Sequence, residues 1–352
     1  MCFNCSALLR IAALAMIVLK PIWVNGQEKK QYKVACIGFY NLENLFDTLD
    51  TPGVNDYEFT PNGPNNWNSA KYQKKLSNMA EVIAQIGKEM FPTGPAILGV
   101  CEVENRLVLN DLIRTPRLKP SNYSIIHYDS PDRRGVDVAM LYRPEFFRVT
   151  ATRPVRLAMA DDTAFRTRDQ LVVSGLLDGE PLHVIVNHWP SRSGGELRSA
   201  PKRAAAARLT KSIVDSIHRA DPSARILIMG DLNDDPTNES VAEILGAKGK
   251  PDKLRKGDLF NPMWQLYKDG IGSLAYRDSW NLFDQIILSE PLVSGNRRSF
   301  TFLKANVFDQ PFVKQQEGQY AGYPWRTFAG GAYSGGYSDH LPVYVFLVKE
   351  KK

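Results

Sequence analysis

The feature that most constrains this chain is a succession of short apolar runs separated by turn residues, with few helical stretches between them. Runs at 34–39, 96–100, 125–128, 136–141, 171–176, 182–186, 226–229, 283–288 and 343–348 are short, β-branched-rich and bounded by Gly, Pro, Asn or Asp. That pattern predicts strands buried on both faces. Helical spacing occurs at 68–87, where Tyr72, Leu76, Met79, Val82, Ile83 and Ile86 recur while Lys71, Lys74, Lys75 and Glu81 are expected to face out. A second helix is predicted over 196–219 and a short one over 237–245. Segments 250–275 and 291–337 are turn-rich and lack periodicity. Many buried strands with few helices predict two stacked sheets flanked by helices, within a single domain over 27–352.

Composition excludes the other broad classes. Apolar residues make up 43% and charged residues 23%, so disordered, collagen-like and coiled-coil readings drop out. The net charge of +6 permits an anionic partner without the concentration of charge found in dedicated nucleic-acid binders. Four cysteines in 352 residues exclude a disulfide-built scaffold. At the N-terminus, Arg10, the apolar run 11–19 and Val24-Asn25-Gly26 read as an export signal over 1–26, cleaved before Gln27. The expectation is an exported protein, periplasmic or extracellular, monomeric and not inserted in a membrane once the signal is cleaved.

Polar residues gather at the ends of the apolar runs. Asn41-Leu42-Glu43-Asn44, Glu102-Val103-Glu104, Asn187-His188, Gly230-Asp231-Leu232-Asn233 and Ser338-Asp339-His340 each stand where a strand ends or begins. Asn and Asp there are ordinary turn formers taken singly. Glu102 behind five apolar residues and Asp284 inside Leu282–Ile287 are different, since a carboxylate in such a run needs a partner. Oxygen donors delivered by separate strands suit a hard divalent cation, and the absence of Cys/His ligand spacing argues against zinc. His127, His183 and His218 lack supporting neighbours and are read as structural.

In these motifs the chain resembles the endonuclease/exonuclease/phosphatase superfamily, which includes deoxyribonuclease I, abasic-site endonucleases, neutral sphingomyelinases and inositol polyphosphate phosphatases. Gly230-Asp231-Leu232-Asn233 followed by Ser338-Asp339-His340 carries the likeness, which runs from about Tyr32 to Val348. The resemblance implies a four-layer α/β sandwich, two mixed β-sheets packed face to face with helices on the outer faces. It implies metal-binding roles for Asn41, Glu43, Glu102 and Asp339, with Glu102 the principal ligand of Mg²⁺, Mn²⁺ being a possible substitute. It implies catalytic roles for His188, Asp231, Asn233, Asp284 and His340, Asp284 being the acid that orients His340. Asp129 and Asp132 both stand as the partner acid of His188.

The same roles follow from phosphodiester chemistry, which needs a Lewis acid, an oriented water and help for the leaving oxygen. Which of Asp231 and His340 takes the proton stays open, as does one metal against two. If Asn41 and Glu102 meet at one site, Cys36 lies about 13 Å along the strand direction from Cys101, which rules out a disulfide. Arg192, Arg203 and Arg326 are the expected substrate-binding cations, with Arg198 and Lys202 nearby and Tyr320, Tyr323, Trp325 and Tyr337 as aromatic platforms. The leading expectation is an exported Mg²⁺-dependent nuclease acting on DNA or RNA. The alternatives are a phosphatase or phosphodiesterase of lipid head groups or inositol phosphates, and an inactive binding module. The last requires loss of Glu102, Asp231, Asn233 or His340, and all four are present.

Overall fold

Side-chain alternation along the buried strands decides the architecture, because each strand has apolar residues for two different layers. The computed structural model describes residues 30–159 and 161–351; the predicted export signal, with Cys2 and Cys5, lies outside them. In chain order the strands are β1 Tyr32–Leu45, β2 Ile97–Val103, β3 Ser124–His127, β4 Asp137–Tyr142, β5 Phe147–Val155, β6 Gln170–Leu177, β7 Glu180–His188 and β8 Ile226–Asp231. There follow β9 Ala247–Lys248, β10 Leu259–Phe260, β11 Leu274–Tyr276, β12 Ser279–Asn281, β13 Asp284–Ser289, β14 Thr301–Val307, β15 Phe328–Ala329, β16 Ala332–Tyr333 and β17 Val343–Glu350. The helices are α1 Ser69–Ile83, α2 Arg106–Arg114, α3 Glu196–Ala220 and α4 Met263–Lys268.

One sheet has the order β14-β17-β1-β2-β4-β3 and the other β5-β6-β7-β8-β13-β10-β9. Both are mixed: β1 runs parallel to β2 and β7 to β8, whereas β1–β17 and β8–β13 are antiparallel. Ile37 and Phe39 of β1 pack with Val173, Val186, Met229 and Ile286 of the other sheet, forming the inter-sheet core. The alternate residues Cys36 and Tyr40 pack with Leu76, Met79 and Ile83 of α1. On the far side, Ala206, Ala207, Ile213 and Val214 of α3 cover Ile185, Ile226 and Ile228. The result is the expected four-layer sandwich. Each fully buried Leu, Ile or Phe contributes about 1.5–3 kcal/mol to holding the layers together.

Most of the expected strands and helices are present with shifted ends, and β5, β14, α2, α4 and the short strands β9–β12, β15 and β16 are additional to those expected. β5 and β14 are edge strands, the exposed positions of β5 being largely polar, and Pro154 in β5 is tolerated because its position is at an edge. Helix α2 is short; Asn105 caps it by accepting from Leu107 N and Val108 N. The helix expected over 237–245 is a single π-type turn at Ser240–Ile244. Cys36 and Cys101 are buried free thiols. Asn41 lies opposite Cys101, so the thiols are offset by five residues, or about 16 Å, one residue more than expected. Among the described residues no helix is long and apolar enough to cross a membrane.

Gly230 is required where β7 and β8 pair. A Cβ there would lie 2.4 Å from Asn187 O, a backbone atom that cannot move aside cheaply. Gly230→Ala is expected to lose about 1–3 kcal/mol in denaturant unfolding. An unchanged midpoint would show that the two strands can separate without cost.

Candidate active site

Strand register brings the predicted acids and imidazoles together. His188 of β7 lies opposite Asp231 of β8, and Asp231 lies opposite Asp284 of β13, so three functional residues share one row of one sheet. The other sheet supplies Asn41 and Glu102 where the β1–β2 ladder breaks register, and a second irregularity in the β2–β4 ladder falls at Glu102. Glu43, Glu102 and Asn233 have φ of 46°, 57° and 51°. This left-handed backbone costs non-glycine residues about 1–3 kcal/mol each and is retained where a site needs the side chain re-aimed.

His340 and Asp284 form the tightest pair. His340 Nδ1 lies 2.6 Å from Asp284 Oδ2, which also accepts from Ser273 Oγ at 2.5 Å. The carboxylate fixes the imidazole so that Nε2 looks toward Asp231 Oδ2, 3.9 Å away. Burial works against charging His340, but Asp284, Asp231 and Asp339 together raise its pKa well above the ordinary value, so the ring is cationic. Asp231 is pushed up to about 7, chiefly by burial, with Asp284 and Glu102 adding to the effect while His340 opposes it. Its Oδ1 accepts from Asn233 N at 2.9 Å and its Oδ2 from Asn41 Nδ2 at 3.2 Å.

His188 is the opposite case. Its Nε2 lies 3.7 Å from Glu102 Oε1 and 3.6 Å from Asp231 Oδ2, and its Nδ1 has no hydrogen-bond partner among the described residues. Neither predicted partner acid reaches it: Asp129 is exposed beside His127, and Asp132 Oδ2 holds Arg168 Nη1 at 2.9 Å. Burial, reinforced by Arg168, Arg134 and the cationic His340, lowers its pKa well below the usual value. It is a neutral imidazole.

The remaining predicted residues divide between the cleft and its supports. Glu102 is the least encumbered acid: Oε2 accepts one N–H, from Asn44 at 3.0 Å, and Oε1 has only His188 near it. Asn41 braces Asp231, and its own Oδ1 accepts from Glu43 N at 2.9 Å. Asn233 sends Nδ2 to Trp189 O at 2.9 Å. Glu43 turns to the buried Lys75, with Oε2 3.1 Å from Nζ; burial raises the Glu43 pKa and lowers that of Lys75, each charge offsetting the other's cost. Although burial acts the other way, His340, Arg326 and Lys75 hold Asp339 below the usual carboxylate range. Arg326 stays half exposed, with Nη2 2.5 Å from Asp339 Oδ2.

One substrate-binding assignment, Arg203, is corrected, and Arg192 is engaged by the neighbouring turn. Arg203 is 1% exposed and lies with Nε 2.7 Å from Asp234 Oδ2. Arg192 donates to Asn233 O at 3.0 Å and Asp234 Oδ1 at 3.1 Å and stacks 4.5 Å from the Phe283 ring. Both hold the 231–235 turn in shape, Arg203 from the interior and Arg192 with about a quarter of its side chain exposed. Sequence reading missed Arg168, Ser273, Thr327 and above all Lys75. Lys75 belongs to the spacing 72, 75, 76 and 79, which is the apolar stripe of α1, and only its charge made it read as outward.

Oxygen donors from Glu102 and Asp231, crowded with Asp284 and Asp339 and balanced by few cations, fit a hard divalent ion. A family model described as "Endonuclease/Exonuclease/phosphatase family" matches residues 36–349. No curated protein sequence matches the chain. Among solved structures, TDP2 from D. rerio complexed with single-strand DNA product is 14% identical, with a TM-score of 0.53 and coverage of 89% of this chain and 98% of that one. A mannosyl-6-phosphatase from Bacteroides thetaiotaomicron is 17% identical, with a TM-score of 0.52 and coverage of 89% and 99%. The human Nocturnin catalytic domain with bound sulfate is 15% identical, with a TM-score of 0.51 and coverage of 92% and 98%. These likenesses establish the fold.

Asp284→Asn is expected to leave the fold intact and lower kcat by about 10²–10⁴, since His340 loses the group that charges and orients it. Turnover within a few-fold of the wild type would remove that role.

Proposed function

Because the chain belongs to the endonuclease/exonuclease/phosphatase family, whose members hydrolyse phosphoesters with divalent metal ions, we propose that it is a Mg²⁺-dependent phosphoester hydrolase. The single observation that carries this reading is the row His188–Asp231–Asp284 with His340 locked on Asp284 and Glu102 facing it from the other sheet. A bound cation would supply Lewis-acid stabilisation of the phosphoryl oxygens, and Glu102 would hold it. Asp231, raised by burial and fixed by Asn41 and Asn233 N, is the group able to take a proton from the attacking water. His340, cationic, presents Nε2–H to a phosphoryl or leaving oxygen, and neutral His188 offers an Nε2–H contact without adding charge. Arg326 reaches the phosphate from the half-exposed rim.

For the substrate we propose nucleic acid. Hairpin β11–β12 rises from Ser273, which contacts Asp284, and exposes Tyr276 (63%), while the adjoining loop exposes Tyr320 (40%). Trp280 and Tyr323 link the two at 6.3 Å between ring centroids. Exposed aromatic rings beside a phosphate site suit stacking of unpaired bases. A small phosphoester is the second reading, favoured by the burial of Arg203 and the pairing of Arg192 with acids of its own turn and helix, which shortens any cationic track for a strand backbone.

Plasmid, single-stranded DNA and RNA incubated with and without EDTA, beside bis-p-nitrophenyl phosphate and p-nitrophenyl phosphate, separate these readings. The expected result is EDTA-sensitive cleavage of nucleic acid and of the diester. Cleavage of p-nitrophenyl phosphate alone would move the assignment to a monoesterase. Glu102→Gln is expected to raise the Mg²⁺ concentration needed for half-maximal rate at least about tenfold; an unchanged metal titration places the cation elsewhere. Export is also part of the proposal, supported by the apolar run 11–19 ahead of Val24-Asn25-Gly26. N-terminal sequencing of the protein recovered outside the cytoplasm should begin at Gln27, and an intact Met1 there would refute cleavage.

A further inference from the structure

We infer that Lys75 and Glu43 form a buried strut that positions Arg326 for the substrate phosphate, and that Glu43 is a positioning residue and not a ligand of the cation. The inference rests on the site proposed above. Lys75 is 2% exposed, and its three ammonium protons have three acceptors: Glu43 Oε2 at 3.1 Å, Thr327 Oγ1 at 2.6 Å and Tyr337 O at 2.7 Å. Glu43 Oε2 also accepts from Thr327 N at 2.7 Å and Thr327 Oγ1 at 2.6 Å. Thr327 is thus gripped through backbone and side chain, and the residue beside it is Arg326.

The grip continues along α1. Asn78, one turn after Lys75, donates to Gly335 O at 3.0 Å and Gly336 O at 2.6 Å, and Tyr337 OH donates to Glu81 Oε2 at 3.2 Å. Helix α1 therefore fixes both ends of the segment that carries Arg326 and leads into Asp339 and His340. Arg326 is suspended between Glu43 Oε1, 3.6 Å from its Nε, and Asp339 Oδ2. Three donors fill Glu43 Oε2, and Glu43 Oε1 faces the Arg326 guanidinium at 3.6 Å, whereas Glu102 carries one N–H donor in all. Binding a cation through Glu43 Oε2 would displace the Lys75 ammonium from its 3.1 Å contact, and a buried charge separated from its partner is costly.

Mn²⁺ binding followed by electron paramagnetic resonance, with inorganic phosphate titrated calorimetrically into the Mn²⁺-loaded full chain, tests the strut without relying on turnover. Glu43→Gln should leave the Mn²⁺ Kd within about twofold and weaken phosphate about tenfold, the loss expected when one charge-assisted contact is misplaced. In an Arg326→Ala background the same change should weaken phosphate no further, because the strut acts through that side chain. If burial makes the single variant fold poorly, Lys75→Met combined with Glu43→Gln removes both charges and should reproduce the pattern. A loss of Mn²⁺ affinity in Glu43→Gln as large as that in Glu102→Gln would make Glu43 a ligand. Unchanged phosphate affinity, or additive losses with Arg326→Ala, would overturn the positioning role. If Glu102→Gln itself leaves Mn²⁺ binding unchanged, it is the proposed cation site that fails, and the phosphate measurements still judge the strut.

Discussion

Everything at the head of this sandwich depends on how carboxylates are kept close together out of water. Asp231, Asp284, Glu43, Asp339 and Glu102 converge there, and the first two are almost wholly buried. Charges so placed repel one another in a medium that screens them weakly, so the arrangement persists only where cations or hydrogen-bond donors meet each acid. Asp284 has His340 and Ser273, Glu43 has Lys75 and Thr327, and Asp339 has Arg326. Glu102 and Asp231 are left with the least compensation. That imbalance is the physical reason a divalent cation fits beside them.

The two histidines illustrate how environment assigns roles to like residues. His340 has a carboxylate on Nδ1 and two more within electrostatic reach, and it holds its proton. His188 is buried beside the cations Arg168 and Arg134, has nothing on Nδ1, and stays neutral. One ring delivers charge and the other an uncharged contact. The distinction arises from β13 lying beside β8, which brings Asp284 under His340, whereas His188 Nδ1 has no partner among the described residues.

The loops add precision that the strands do not have. Arg192 and Arg203 brace the turn 231–235 from beneath, and α1 braces the segment 327–337 from the side. Cationic side chains that looked available to a substrate are instead the means by which two turns keep fixed shapes. A rigid row of strand residues and two clamped turns together set the distances of the site, and the hairpin carrying Tyr276 remains the exposed part.

How much of this was legible beforehand follows from what kind of information a linear chain carries. Short apolar runs bounded by turn residues dictated buried strands, and the improbable placement of Glu102 and Asp284 in such runs marked them as functional, because both signals are local. Edge strands β5 and β14 left weak traces, since β5 alternates with polar, exposed residues and β14 is only half-buried along most of its length. The direction of a polar side chain was beyond reach: whether Arg203 meets solvent or Asp234, and whether Lys75 points out or into the acid cluster, depends on pairings between residues far apart in the chain. The sequence by itself determined the layers, the absence of a bridge between the thiols Cys36 and Cys101, and the cast of acids and imidazoles. Only the tertiary structure decided which charge answers which, because electrostatic pairing is a matter of a few ångströms between segments whose order along the chain says nothing of their contact.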